Sequence, residues 1–290
     1  MEGRAEEPVS QCALHIRGQM CMPPDDFKTL CVAVGLEPKV DNLGALLKTH
    51  EVRHEHELWD KSAVQTAIPS ARVILDTCYK PLGPHDPKPL SNDEIDNVLW
   101  QWERRWPDFC NPGFTMMDFA SYGGTPMQLL AALPALQAGK GATFVSHELR
   151  GVKHACSSGP PRRRFAIVLN SDTISGPGKH WTCIFIDLAN VSGPTIEFFN
   201  SSGNAPYPEV LHWVPLAQRA IGAAMGAETA PQFVPVTAIR HQRGNTECGV
   251  YALYYIWSRL NGQTAESFKH GEIPDDKMTD FRATHLFRSS

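Results

Sequence analysis

A cysteine at the boundary between a polar loop and an apolar run is the clearest candidate for chemistry in this chain. The loop, residues 241–247, leads directly into Cys248, which opens the apolar stretch 248–257. The composition of that stretch is compatible with a helix, so the thiol is predicted at or near a helix N-terminus. Unpaired backbone N–H groups and the helix dipole stabilise a thiolate at such a position. Any one of the eight cysteines could instead be a small buried hydrophobic residue. Whether Cys248 is a nucleophile therefore depends on the residues that could act with it.

A predicted hairpin supplies a base for that thiol. Residues 181–188 and 195–199 are rich in β-branched and aromatic residues and flank a turn near residue 190, which predicts two strands. If they pair antiparallel, residues whose numbers add up to about 380 to 382 face each other. His180 and Asn200 meet this condition, so an imidazole and a carboxamide are expected at one rim of the sheet. A cysteine nucleophile needs such a base, and the base needs a third group that fixes its ring and tautomer.

Two alternatives remain open from the residues alone. Asp187 could orient the imidazole in place of Asn200, although strand alternation puts it on the opposite face from His180. The segment His50-Glu51-Val52-Arg53-His54 fits the HExxH pattern, in which two histidines one helical turn apart bind zinc. No third ligand follows this segment at a standard spacing. We therefore predict no metal site and interpret the segment as a solvated helix face.

Composition limits the class of protein. The chain has 290 residues, of which 42% are hydrophobic and 20% charged, and 27 basic against 31 acidic side chains give a formal charge of −4. These values indicate a globular protein with a substantial core and give no reason to expect nucleic-acid or membrane binding. Residues 1–8 lack the order of a signal peptide, and no apolar stretch approaches the roughly 18 residues of a membrane span. We expect a soluble intracellular protein.

The cysteines and the prolines indicate how the chain is organised. No CxxC pair is present, which predicts free thiols in a reducing compartment and neither disulfides nor a zinc site. Four prolines within residues 81–89 mark a linker between a mainly helical N-terminal arm, 1–90, and a catalytic core, 91–290. One helix is predicted over residues 42–59 of the arm. In the core we predict one helix that starts at 91–94, two that span 127–136 and 210–225, and one that begins at Cys248. Strands are predicted at 165–169, 181–188 and 195–199, and an edge strand at 232–236.

Taken in order, these motifs resemble a clan of cysteine peptidases. His180-Trp181, then Asn200, then Gln242 followed six residues later by Cys248-Gly249-Val250 resemble the order His, Asp or Asn, Gln, Cys of the adenovirus-protease and SUMO-protease clan. The most similar branch is that of the African swine fever virus-type polyprotein proteases of large DNA viruses, which also use Asn as the third member. The resemblance covers about residues 91–290. Within that range, the segment 169–181 and the C-terminal tail around 278–288 also resemble the family.

The resemblance implies a fold and a role for each site residue. The fold is α+β with a papain-like, adenain-like core, in which a central helix headed by Cys248 packs on a mixed β-sheet. Cys248 is the implied nucleophile, His180 its base and Asn200 the residue that orients the base. Gln242 is the implied oxyanion donor, together with the Cys248 backbone N–H. Trp181 and Gly249 are expected to contact substrate, Trp181 as the wall of a slot that only glycine can pass.

The implied activity is cleavage of viral structural polyproteins at Gly-Gly-X sites. It would proceed through a thioester, without a cofactor, in the host cytoplasm and in the virion. The alternatives are a deconjugating isopeptidase that acts on SUMO or ubiquitin-like proteins, and an inactive protease-like binding module.

Overall fold

The chain forms two compact units in its computed structural model. One unit comprises Met1–His85 with Arg282–Ser290, and the other comprises Asp86–Phe281. The division predicted at residue 90 stays a prediction. The acidic first eight residues lie outside the part that the structure describes. That part consists of residues 11–16, 20–147, 151–190, 192–225 and 230–288.

The first unit is helical, as predicted for the arm. Its core is built around fully buried aromatic and aliphatic side chains such as Trp59, Tyr79 and Leu58. The C-terminal tail belongs to this unit, because the buried Arg282 donates to the carbonyl of Pro84 at 3.3 Å. The helices of the unit are α1 (Pro24–Ala33), α2 (Leu43–Thr49), α3 (Ser62–Ala67) and α4 (Ala71–Cys78), with 3₁₀ turns at Val40–Asn42 and Glu55–Asp60 and a π turn at Arg282–Leu286.

The single helix predicted over residues 42–59 is wrong. Helix α2 ends at Thr49, and Glu51 has a φ of 54°, which is left-handed backbone that a helix cannot contain. The chain resumes as a 3₁₀ turn only at Glu55. The HExxH segment lies across this break, so His50 and His54 are not one helical turn apart. The segment is therefore neither a helical zinc motif nor a solvated helix face.

The second unit alternates helices and strands. A capping box opens its first helix, because the Ser91 hydroxyl accepts from the Glu94 N–H while the Glu94 carboxylate accepts from the Ser91 N–H. The helices are α5 (Asn92–Arg105), α6 (Phe119–Tyr122), α7 (Thr125–Gln137), α8 (Pro208–Met225), α9 (Cys248–Leu260) and α10 (Asp275–Phe281), with a 3₁₀ turn at Ala265–Lys269. The strands are β1 (Phe109–Cys110), β2 (Thr115–Met116), β3 (Ala142–Ser146), β4 (Val152–Cys156), β5 (Arg164–Asn170), β6 (Trp181–Asp187), β7 (Thr195–Phe199) and β8 (Gln232–Val236).

The main sheet is mixed. Its strands follow the order β1-β5-β6-β7-β8, with β2 also paired to β5. Strand β6 pairs antiparallel with both β5 and β7. Strands β1 and β2 pair in parallel with β5, and β8 pairs in parallel with β7. The β3–β4 hairpin forms a separate two-stranded sheet. Strands β6 and β7 are buried along their whole length.

Helices cover both faces of this sheet. On one face α7 and α8 pack against alternate residues of the central strands, including Ile184 and Phe198. On the other face lies α9, where the ring of Tyr255 stacks on Phe199 with centroids 4.5 Å apart. All residues of α9 except Trp257 are buried. The helix that begins at Cys248 is therefore the central helix that the sequence predicts.

The cysteines do not all remain free, which corrects the expectation from their spacing. Disulfides join Cys12 to Cys21 and Cys110 to Cys156, with Cα separations of 5.0 and 5.8 Å. The second pair is 46 residues apart in sequence, so no local spacing rule could reveal it. Cys248 is among the thiols that stay free.

Candidate active site

The candidate nucleophile occupies the first turn of the central helix. Helix α9 begins at Cys248, whose side chain is buried. The backbone N–H groups of Trp181, Gly249 and Cys248 itself lie near its sulfur and lower the pKa of the thiol. Burial acts in the opposite direction and is the larger effect, so the pKa of Cys248 is raised. In this environment the resting group is the thiol, although its N-terminal position favours the thiolate.

His180 and Asn200 meet at the rim of the sheet, as the hairpin pairing predicts. Strands β6 and β7 pair in the register in which Cys183 faces Phe199, so facing residue numbers add up to 382. His180 and Asn200 lie just beyond the paired ends and approach each other diagonally. The Nε2 atom of His180 is 2.9 Å from the Oδ1 atom of Asn200. Since the backbone N–H of Trp181 lies near the Cys248 sulfur, the thiol lies beside the residue that follows His180.

Contacts around Asn200 fix the tautomer of the histidine. Asn200 is fully buried, and its Oδ1 accepts from the backbone N–H of Ser202 at 3.0 Å and from its hydroxyl at 2.7 Å. Its Nδ2 donates to the carbonyl of Asn204 at 3.2 Å. These partners leave no freedom to exchange oxygen and nitrogen in the amide, so the atom that faces His180 is an acceptor. The Nε2 of His180 must therefore carry a proton, and the neutral ring keeps its basic lone pair on Nδ1.

The imidazole is neutral at rest. Burial lowers the pKa of His180, and the hydrogen bond to Asn200 opposes that effect only in part. An aspartate at position 200 would add a full negative charge and hold the imidazolium more strongly. The raised pKa of the Cys248 thiol and the lowered pKa of the His180 imidazole leave both groups uncharged at rest.

Gln242 is held by the residue that follows Asn200. The Ser201 hydroxyl donates to Gln242 Oε1 at 2.9 Å, and the Ser201 carbonyl accepts from the Gln242 backbone N–H at 3.0 Å. Because the amide oxygen is occupied by a donor, the other end of this amide is the NH₂ group. Ser201 thus connects the strand end that carries Asn200 to the loop that carries Gln242.

The loop before Cys248 is anchored from its far side. Asp275, at the start of α10, accepts from the backbone N–H of Gly244 at 2.7 Å and from that of Arg243 at 3.2 Å. The same carboxylate accepts from the Tyr251 hydroxyl at 2.8 Å, which ties the loop to α9. Neither Ser201 nor Asp275 was identified from the sequence. Ser201 stood in what resembled an ordinary turn, and Asp275 is remote from the loop in sequence.

Trp181 and Gly249 are packed against each other. The indole N–H of Trp181 donates to the carbonyl of Leu90 at 3.0 Å, and Phe114 meets the ring edge-on with centroids 6.0 Å apart. A Cβ atom at Gly249 would lie 3.3 Å from the Trp181 ring and 3.2 Å from Leu90. The tight contact explains a glycine directly after Cys248, and it leaves the indole little freedom to move.

Asp187 is engaged elsewhere. It lies at the opposite end of β6 from His180, and its carboxylate is 3.1 Å from the guanidinium of Arg259. Arg259 also pairs with the buried Glu197 at 2.8 Å. Burial raises the pKa of Asp187, while Arg259 lowers it. The structure thus brings His180 to Asn200 and keeps Asp187 in a separate ion cluster.

Comparison with known proteins gives the family. No protein-family model matches the chain. Over 215 residues it is 37% identical to a cysteine protease of African swine fever virus, isolate Tick/Malawi/Lil 20-1/1983, across 74% of this chain and 73% of that protein. A relative described as a SUMO-1 cysteine protease, from isolate Tick/South Africa/Pretoriuskop Pr4/1996 of the same virus, is 36% identical over 217 residues, with the same coverage. The chain belongs to this African swine fever virus-type family of cysteine proteases.

The fold agrees with this assignment. The crystal structure of an African swine fever virus protease of this family matches with a TM-score of 0.77 at 29% identity, over 98% of this chain and 97% of that one. The predicted α+β cysteine protease core is therefore confirmed, and the protein is a cysteine peptidase and thus a hydrolase. Among the described residues, no helix combines the length and apolar character that crossing a membrane requires.

Proposed function

We propose that this viral-type cysteine peptidase cleaves viral structural polyproteins at Gly-Gly-X sites, with Cys248, His180 and Asn200 as its catalytic triad. The observation that carries the triad is the 2.9 Å contact between His180 Nε2 and Asn200 Oδ1, next to Trp181, whose backbone N–H lies near the Cys248 sulfur. In this proposal the catalytic machinery lies within residues 91–290, and residues 1–90 form an arm. The enzyme acts in the host cytoplasm and in the virion and needs no cofactor.

The proposed reaction uses the lone pair on His180 Nδ1. As the Cys248 sulfur attacks the scissile carbonyl carbon, its proton moves to Nδ1, and the resulting imidazolium is held by Asn200. The carbonyl oxygen becomes an oxyanion, which accepts from the Gln242 side-chain NH₂ and from the Cys248 backbone N–H. One such donor contributes about 3 kcal/mol to the transition state. The imidazolium then protonates the leaving amine, and water hydrolyses the thioester with His180 as base.

The proposed preference for glycine rests on Trp181. Its ring is fixed by Leu90 and Phe114 and touches Gly249, directly beside the nucleophile. A rigid indole at this position restricts the residues before the scissile bond to those without a side chain. Replacing either glycine of a Gly-Gly-X peptide by alanine should therefore lower kcat/KM by about 10- to 200-fold, the range for one methyl group in a tight pocket.

A peptide-library cleavage profile tests this proposal. The full chain should cut Gly-Gly-X peptides, the Cys248→Ala variant should not, and a Gly-Gly vinyl sulfone should label Cys248. Faster cleavage of SUMO or ubiquitin fusions than of Gly-Gly-X peptides would instead favour a deconjugating isopeptidase. Absence of both cleavage and labelling in folded protein would indicate a protease-like binding module. Cleavage with no dependence on either glycine would reject the proposed specificity and leave the cysteine mechanism intact.

A further inference from the structure

A second group of reactive side chains lies between α5, β1 and the β3–β4 hairpin. Glu103 projects from α5, Cys110 from β1, and His154 and Cys156 from β4. The ligand atoms of Glu103, Cys110 and Cys156 all lie within 4.8 Å of one another. The His154 Nε2 atom is 3.1 Å from Glu103 Oε1, and these two side chains are only 15% and 11% exposed. Three separate parts of the chain thus bring two sulfurs and a carboxylate to one shielded point, with the imidazole next to the carboxylate.

Two of the separations are already close to those around a single zinc ion, whereas the two sulfurs, bonded to each other in the disulfide, must move apart to about 3.8 Å once reduced. Zn–S bonds of about 2.3 Å and Zn–O and Zn–N bonds of about 2.1 Å in a tetrahedron put sulfur about 3.6 Å and nitrogen about 3.4 Å from the oxygen. The Cys156 sulfur lies 3.6 Å from Glu103 Oε1, and the His154 nitrogen lies 3.1 Å from the same atom. Zinc prefers these ligand types and binds four of them in structural sites.

The ligands are also held in place by their neighbours. Glu103 Oε1 accepts from the backbone N–H of Asn111 at 2.7 Å. The ring of Trp100 stacks on His154, with centroids 4.5 Å apart and planes 12° apart. Contacts of this kind orient metal ligands in proteins and raise their affinity.

The disulfide between Cys110 and Cys156 is the oxidised form of this group. A disulfide sulfur carries no proton, so the approach of Cys156 to the carboxylate is not a hydrogen bond in that form. Reduction by a phosphine or a dithiol supplies two electrons, and with two protons from water it yields two thiols while the reductant is oxidised. On binding zinc each thiol loses its proton, and two S–Zn bonds replace the S–S bond.

We propose that Cys110, Cys156, His154 and Glu103 form a structural zinc site in the reduced protein. Four protein ligands leave no open position, as in other structural zinc sites. The hairpin that carries His154 and Cys156 forms its own sheet, apart from the main one. The ion therefore ties this hairpin to α5 and β1 under reducing conditions, where the disulfide cannot.

Metal content of the reduced full chain tests the proposal. The Cys248→Ala background removes the competing thiol of the active site, and tris(2-carboxyethyl)phosphine without oxygen keeps the other thiols reduced. After one equivalent of zinc and gel filtration, mass spectrometry should find one zinc per chain. Cobalt in its place should show thiolate-to-metal charge-transfer absorption. The Glu103→Gln variant should bind zinc at least about tenfold more weakly, whereas Cys78→Ser, a change at a buried free thiol outside the group, should bind it unchanged.

Two results would overturn the proposal. One is a reduced chain that retains no zinc, and the other is equal retention by the Cys110→Ser/Cys156→Ser double variant. Should that variant fail to fold, iodoacetamide labelling of the Cys248→Ala chain, read peptide by peptide, gives the answer. Zinc should protect Cys110 and Cys156, and a chelator should restore their labelling. Equal labelling of both residues with and without zinc rejects the site.

Discussion

Replacing Asn200 with alanine tests the proposed triad at a single hydrogen bond. The substitution removes the acceptor that lies 2.9 Å from His180 Nε2. In the resting enzyme that bond joins two neutral groups, but it becomes charge-assisted when His180 takes the proton of Cys248. Because the bond strengthens in the transition state, its loss should lower kcat more than it changes KM.

The magnitude follows from the difference between the two kinds of bond. A hydrogen bond to a charged group contributes about 1.5 to 3 kcal/mol and one between neutral groups about 0.5 to 1.5 kcal/mol, so the bond gains about 1 to 1.5 kcal/mol when His180 is protonated. Since about 1.4 kcal/mol corresponds to a tenfold change in rate, Asn200→Ala should lower kcat by about 5- to 13-fold, with KM within about twofold of the parent. Loss of the preferred tautomer acts in the same direction.

Asn190→Ala is a matched control. The Asn190 side chain accepts the N–H of Ser192 at 3.0 Å, just as Asn200 accepts that of Ser202 at 3.0 Å. Asn190 lies in the turn after β6, at the other end of the hairpin. The control removes the same local turn contact but no partner of His180, so its kcat should stay at the parental value in the Gly-Gly-X peptide assay.

Asn200→Asp tests the direction in which the pKa of His180 changes. A carboxylate next to the imidazole should raise the pKa of His180, so the acid limb of kcat/KM should move to higher pH. The new oxygen would face the carbonyl of Asn204, which now accepts from Nδ2, so the variant should also unfold at a lower temperature. An Asn200→Ala enzyme with full activity, or an acid limb unmoved in Asn200→Asp, would refute the assignment of Asn200.

Three further outcomes are expected. Gln242→Ala should lower kcat by about 10²- to 10³-fold with little change in KM, as loss of one oxyanion donor does; an unchanged kcat in steady-state assays would exclude that role. Asp187→Ala should keep kcat but lower the free energy of unfolding by about 1 to 3 kcal/mol in urea, because Arg259 loses a buried partner. Abolished activity in folded protein would make Asp187, and not Asn200, the third member of the triad. Because burial lowers the pKa of His180, kcat/KM should rise through a midpoint below pH 6.5 as the imidazole loses its proton. Because burial raises the pKa of Cys248, kcat/KM should not fall until above pH 9.0. A rising midpoint above pH 6.5 would contradict the neutral resting pair.

Local patterns were enough to locate the central elements of the fold. The apolar stretch after Cys248 predicts α9 from its first residue, and the β-branched and aromatic residues at 195–199 predict β7 with its observed bounds. Both signals are local, since they depend on composition and on the polar or turn residues at each end. The hairpin allowed a contact between two strands to be predicted as well, because a short connection between strands fixes which residues approach each other. His180 and Asn200 could therefore be paired without coordinates.

The local patterns failed where the structure depends on the backbone conformation of one residue or on contacts between distant parts of the chain. A helical pattern over residues 42–59 gave no sign that Glu51 adopts left-handed backbone. The two-residue strands β1 and β2 pair in parallel with β5, and strands this short leave no period to recognise. The spacing of the cysteines suggested free thiols, whereas Cys110 meets Cys156 only because the β3–β4 hairpin folds back against the start of the sheet.

The sequence by itself determined the residue types of the proposed site, the helix that carries Cys248 and the strand pair that carries His180 and Asn200. Only the tertiary structure decided the state in which those groups rest. Burial lowers the pKa of His180, contacts with Ser202 and Asn204 orient the Asn200 amide, and the Ser201 hydroxyl donates to the amide oxygen of Gln242. These effects arise from desolvation and from hydrogen bonds at the meeting of separate segments, which sequence spacing does not encode.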